Sequence, residues 1–66
     1  MAFVVELEPE VFLAPVEGDP GRTTLIHNAT IFRTISSAKR QMRAAQEKRP
    51  FNHARCVPVA IRLERL

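Results

Sequence analysis

AFVVELEPEVFLAP, residues 2–15, is the stretch on which the fold turns. Phe3, Val5 and Leu7 alternate with Val4, Glu6 and Glu8. A period of two sets one apolar row against a core and leaves a largely acidic row outside, which predicts a strand. Pro9 and Glu10 break the alternation before Val11, Phe12, Leu13 and Ala14. The spacing therefore predicts a short hairpin with Pro9 in its turn and a second strand that Pro15 ends.

Downstream, Glu17-Gly18-Asp19-Pro20-Gly21-Arg22 reads as a tight turn, with Pro20 presetting φ at the second position and Gly21 supplying the positive φ of a type II turn at the third. Thr23 to Ile26 and Thr30 to Phe32 are β-favourable and are separated by His27-Asn28-Ala29, so they read as one strand interrupted by a bend or bulge. From Thr34 the period changes. Ile35, Ala38, Met42 and Ala45 recur at helical spacing, which predicts a helix over about 35–49. Thr34 is its expected N-cap, Lys48 and Arg49 favour the negative end of its dipole, and Pro50 stops it.

Residues 54–63 form the longest β-like run, with Val57, Val59, Ile61 and Leu63 on one side. Pro58 cannot donate to a ladder, so this strand is expected at an edge or bulged there. The predicted fold class is α+β, in the order β-β-β-α-β: one domain over residues 1–66, with a small antiparallel sheet of three or four strands and one helix across a face. Phe3, Val5, Phe12, Phe32, Ile35, Met42, Val57 and Ile61 are expected to share one core.

Several of these segments together resemble small uncharacterised proteins encoded by bacteriophages and prophages. The likeness rests on Phe12-Leu13-Ala14-Pro15, on Gly18-Asp19-Pro20-Gly21-Arg22-Thr23, on Ala29-Thr30-Ile31-Phe32-Arg33-Thr34 leading into a basic Ala-rich helix, and on Arg49-Pro50-Phe51-Asn52. It spans about residues 3–57. It brings no activity and no functional residues. What the resemblance implies is a setting, the bacterial cytoplasm during phage growth or lysogeny, and a host or phage protein as partner, with inhibition or modulation of a host system as one version.

Charge is segregated along the chain. The first twenty residues carry five acids (Glu6, Glu8, Glu10, Glu17, Asp19) and no base, whereas residues 21–66 carry all ten Lys and Arg against two acids. Segregated charge steers and orients partners. With 45% hydrophobic and 26% charged residues the composition is that of a globular rather than a disordered chain. A domain of this length buries only about 60% of its unfolded surface, and the single cysteine, Cys56, permits no disulfide within the chain. That cysteine usage suits a reducing compartment. MAFVVELEPEVFLAP has neither the basic start nor the unbroken apolar core of a signal peptide, and no apolar run approaches a membrane span. A soluble cytoplasmic protein with no membrane partner is the expectation.

Two surfaces are candidates for binding. Lys39, Arg40 and Arg43 fall within about 100° on a helical wheel, with Lys48, Arg49 and Arg55 near in sequence and Glu47 placed to neutralise part of the arc. As a site these six would contact phosphates; as a solvated face they would only keep the protein soluble. Single-strand recognition would also require exposed aromatics, and the chain has four Phe and neither Trp nor Tyr. Glu6, Glu8 and Glu10 are the second candidate, an anionic patch for a basic partner surface, or a strand's outer row facing Arg62 and Arg65 across the sheet.

His53 and Cys56 stand three apart with His27 elsewhere; with a carboxylate these could reach the four ligands of a structural zinc site on paper, but nothing else in the sequence supports one. No metal site and no cofactor is read. Ser36 and Ser37 are explained by the helix start, and Gly18 and Gly21 lack phosphate-loop spacing. The expectation is a protein that binds and does not catalyse. A protein partner is the first reading and nucleic acid the alternative. A homodimer is a further expectation, from the Ala-lined helix stripe and a C-terminal strand longer than its neighbours.

Overall fold

The computed structural model describes residues 2–60. Strand β1 (Ala2–Glu8) is followed by β2 (Val11–Leu13) and β3 (Arg22–Thr23), a 3-10 turn over Ile26–Asn28, helix α1 (Ile35–Gln46) and strand β4 (Arg55–Val59). The sheet order is β3-β2-β1-β4, antiparallel throughout. This is the α+β arrangement, and β4 lies at an edge among the described strands. No helix among the described residues is long and apolar enough to cross a membrane. Ile61, Leu63, Arg62 and Arg65, read above into the last strand, the core and the acidic row's partners, lie outside the described residues.

The β1–β2 hairpin turns at Pro9-Glu10 as its spacing predicts. Glu10 has φ 64° directly after a proline, the arrangement a type II turn requires at its two central positions. Type II chemistry therefore sits here, on a glutamate. At the second turn the expectation about Gly21 fails: the positive φ belongs to Gly18, at 139°. Gly21 answers a different need. A Cβ on it would stand 2.1 Å from the Val16 carbonyl oxygen and 2.6 Å from that of Ala14, because Ala14 N–H donates to Gly21 O at 2.9 Å and draws the two strands together.

The interrupted third strand is also corrected. Only Arg22–Thr23 is strand. Thr23 Oγ1 accepts the Leu25 N–H at 3.1 Å, a local bond that competes with ladder pairing and diverts the chain into the 3-10 turn. The chain then returns: Thr30 N–H donates to Leu13 O at 2.9 Å, and Phe32 exchanges two 2.8 Å backbone bonds with Phe3. Phe32 thus occupies the β2 side of β1 where the short β2 has already ended.

Helix α1 begins where the sequence places it, with Thr34 Oγ1 accepting the Ser37 N–H at 3.2 Å. It ends at Gln46 rather than at residue 49. Pro50 disfavours helical geometry at Arg49, and the chain leaves by successive turns, Lys48 N–H to Ala45 O, Phe51 N–H to Lys48 O and Ala54 N–H to Phe51 O. Gln46 Nε2 donates to Ala54 O at 2.8 Å and fastens the helix end to the start of β4.

The single core becomes two. Val5, Leu7, Ala38, Ala45, Phe51 and Ala54 are buried between sheet and helix, with Phe3, Phe32, Met42 and Cys56 packed against them. Val4, Phe12 and Ala29 form a smaller cluster on the opposite face, with Val57 and Val59 at its border. Val4, assigned above to the outer row, is fully buried. The central strand is covered on both faces in its first half, where the alternate row is Ala2 and Val4, and only from Glu6 onward does that row turn polar. Ile35, expected in the core, is 42% exposed. Phe51, which the spacing did not place in the core, is buried under the Arg22 guanidinium, 5.4 Å from its ring centre.

Candidate functional site

Arg40 and Arg43 are carried on the side of α1 turned away from the sheet, since Ala38 and Ala45 are its buried residues, and Lys39 lies on the flank near Cys56 of β4. All three are exposed, as is Arg33, one residue before the Thr34 cap. The described ion pairs are Lys48 with Asp19 and Arg55 with Glu6. Among the described residues, then, no carboxylate pairs with Arg33, Lys39, Arg40, Arg43 or Arg49, and Glu47 makes no ion pair with Arg43. The six basic candidates therefore divide. Lys39, Arg40 and Arg43 form one free face, Arg49 is exposed in the turns after α1, and Lys48 and Arg55 are engaged by acids. Arg33 is a member of this surface that the wheel missed, because it lies outside the helix.

The acidic candidate divides as well. Glu6 has a side chain only 14% exposed. Its Oε1 accepts from Arg55 Nε at 2.6 Å across the β1–β4 pair, and its Oε2 accepts the Glu10 N–H at 3.3 Å. Glu6 is thereby a tie between the hairpin turn and β4. Glu8 and Glu10 remain exposed. An open groove of about 410 Å3 runs past this tie, lined by Glu6, Glu8, Pro9, Pro50, His53 and Arg55.

His53 lines that groove, while Cys56 packs on the other face against Met42, with Sγ 3.7 Å from its Sδ. The two do not converge, and among the described residues no three His, Cys, Asp or Glu side chains gather as a metal site would require. Burial pushes the Cys56 thiol above its ordinary value, and the nearby Lys39 ammonium offsets part of that rise. A thiol so placed stays protonated and packs as a small apolar residue.

No known protein family, curated protein or solved structure matches this chain.

Proposed function

We propose that the protein is a non-enzymatic binding module of the phage or prophage type, working in the cytoplasm of a bacterial host, that docks a host or phage protein bearing an acidic surface on the outer face of α1. The observation that carries this reading is the group of Lys39, Arg40 and Arg43, exposed together with Arg33 and without described carboxylate partners. Free cations on a rigid helix offer a preset pattern to an acidic partner, and like charges held side by side raise its on-rate. Inhibition or modulation of a host system is the form such docking takes in the setting that the resemblance suggests. The anionic patch is a weaker candidate, since Glu6 is already bonded to Arg55 and to the hairpin turn.

Nucleic acid is the second reading, because the same cations would serve phosphates. Against it, Phe12 and Phe51 are buried, and Phe3 and Phe32 are half-buried in the core, so no aromatic platform is offered for stacked bases.

The test is capture of partners from nuclease-treated lysate with the intact chain and with the triple variant Lys39→Ala, Arg40→Ala, Arg43→Ala, alongside titrations of duplex and single-stranded nucleic acid at several salt concentrations. The expected result is a protein retained by the intact chain and lost by the variant, with nucleic-acid binding that vanishes by physiological salt. Four phosphate contacts would instead give a slope of log affinity against log salt of about −3.6, flattened by roughly 2.7 in the triple variant. Sub-micromolar nucleic-acid affinity at physiological salt with that slope would replace the first reading by the second.

A further inference from the structure

Beside the cationic part of α1 the surface opens into a cavity of about 250 Å3 between the helix and the loop after β2. Leu13 and Ala45 reach it from the helix-side core, where Ala45 is buried and Leu13 packs against the buried residues. Gln41 and Ala44 line it from the helix, and Pro20 and Gly21 from the loop. Both Gln41 and Ala44 are exposed. The cavity is open because its walls are small. Ala44 has no chain beyond its methyl group, and Gly21, drawn against Ala14 and Val16, has no side chain with which to fill the gap.

These walls are in place without a partner. Lys48 pairs with Asp19 at one end of the cavity and joins the loop to the end of α1. Ala14 N–H donates to Gly21 O at 2.9 Å and fixes the loop to the end of β2. A preset cavity spares a ligand the cost of ordering it. At about 250 Å3 it falls below the roughly 300–1,000 Å3 of sites that enclose a small molecule. With Leu, Ala, Pro and Gly as its main lining, it suits one apolar side chain.

The charge around the cavity has a direction. Arg40, Ala44 and Lys48 follow one another four residues apart, so they lie in one row along the helix side. Arg40 is exposed and no described carboxylate pairs with it, and Arg43 stands in the neighbouring row. Past Ala44 acids appear: Asp19 engages Lys48, and Glu47 follows Arg43 by four residues. Arg22 is turned onto the Phe51 ring and Pro20 O. An apolar group in the cavity therefore has unpaired cations on the side toward the start of α1, one helical turn or about 6 Å from Ala44. Carboxylates beside that group are favoured there and opposed at the other end.

We infer that this cavity receives the apolar anchor of the acidic partner, a segment with one leucine-sized side chain and its carboxylates directed toward the start of α1. The inference rests on the reading of the α1 face given above and adds the group that sets the register of docking. Exposed charge is screened by salt and governs encounter and orientation more than affinity. A side chain desolvated in a central cavity supplies affinity, as interface anchors do. Because the cavity adjoins the row that carries Arg40, one short segment reaches both.

Two synthetic peptides, EEEELAA and EEEEAAA, test this on the full chain by fluorescence anisotropy in about 50 mM salt, where surface charge is only partly screened. The leucine peptide should bind about tenfold more tightly. Ala44→Leu and Gln41→Phe, at exposed helix positions and without change of charge, should each fill the cavity and bring the two peptides within about twofold. Circular dichroism melts confirm that both variants fold. The triple variant Lys39→Ala, Arg40→Ala, Arg43→Ala should weaken both peptides. Equal binding of the two peptides, or a leucine preference that survives both filling variants, would overturn the inference; where that binding is lost in the triple variant, the docking of acids on α1 stands without the anchor. Binding of neither peptide would overturn both. A dimer in sedimentation equilibrium that Ala44→Leu dissociates would assign the cavity to a second copy and overturn the inference as well.

Discussion

Gly21→Ala is the substitution on which two accounts of one glycine disagree in sign. A loop glycine with ordinary φ gains about 0.4–1 kcal/mol when replaced by alanine, because the unfolded chain loses freedom. Here the new Cβ would stand 2.1 Å from Val16 O and 2.6 Å from Ala14 O, both far inside the 3.4 Å at which ordinary contact begins. Both obstacles are backbone, and one of them belongs to the residue whose N–H bonds Gly21 O at 2.9 Å. Relief therefore means separating the end of β2 from β3. Overpacking strain of about 1–3 kcal/mol, with loss of one backbone bond worth about 1 kcal/mol, puts the cost near 2–4 kcal/mol. A domain of this length has a total stability of roughly 3–10 kcal/mol. At about 4–8 °C per kcal/mol, the melting temperature should fall by about 8 °C or more. Urea titration and thermal melts followed by circular dichroism measure it. Gly21→Asn discriminates further, since asparagine tolerates positive φ but not the close approach: it should be as damaging as alanine. Equal or higher stability of Gly21→Ala would refute the close-approach reasoning.

Met42→Asp places a carboxylate against Cys56 and the helix-side core and should cost about 2–4 kcal/mol; an unchanged urea midpoint would mean that α1 presents another face to the sheet. Glu10→Gly removes the cost of φ 64° on a side-chain-bearing residue, about 1–2 kcal/mol, less about 0.5–1 kcal/mol of glycine entropy, so a gain of a few tenths to 1 kcal/mol is expected in the same titration. For Cys56, burial raises the folded thiol above the ordinary value of 9.0, so its contribution to stability is complete below that pH and is lost as pH rises beyond it. Cys56→Ala should flatten that alkaline loss, and iodoacetamide at pH 8 should label native Cys56 more slowly than the chain in urea.

What the sequence made legible was local and periodic. The hairpin followed from alternation broken by Pro9, and the helix from a stripe at helical spacing with Thr34 before it and Pro50 after it. What it hid depended on partners distant in the chain. Val4 reads as an outer residue until Ala29 and Phe12 are known to close over it. Thr23–Ile26 and Thr30–Phe32 are β-favourable, yet the Thr23 hydroxyl takes the N–H of Leu25 and the strand stops at Thr23. Gly21 is constrained by carbonyls of Ala14 and Val16, which no turn rule counts. In the candidate site the helical wheel grouped Lys39, Arg40 and Arg43, because periodicity alone places them, but left out Arg33. It could not separate Lys48 and Arg55 from the rest, because their carboxylates lie 29 and 49 residues away.

Those two distant pairs change what the charge asymmetry means. As a linear chain the protein opposes an acidic start to a basic remainder, which invites a picture of two poles, each free to recruit a partner. Folding brings β1 beside β4 and the loop after β2 beside the end of α1, and at each junction one acid meets one base. Surface pairs of this kind, each with one largely exposed partner, add little stability, about 0–1 kcal/mol each, so their larger effect is on what remains unpaired. The acids lose Glu6 and Asp19, and the bases lose Arg55 and Lys48, which sit at the margins of the basic surface rather than within it. Cancellation therefore leaves the α1 face and its approach with cations that no described carboxylate pairs, while the unpaired described acids, Glu8, Glu10, Glu17 and Glu47, are spread over the hairpin turn, the loop after β2 and the end of α1.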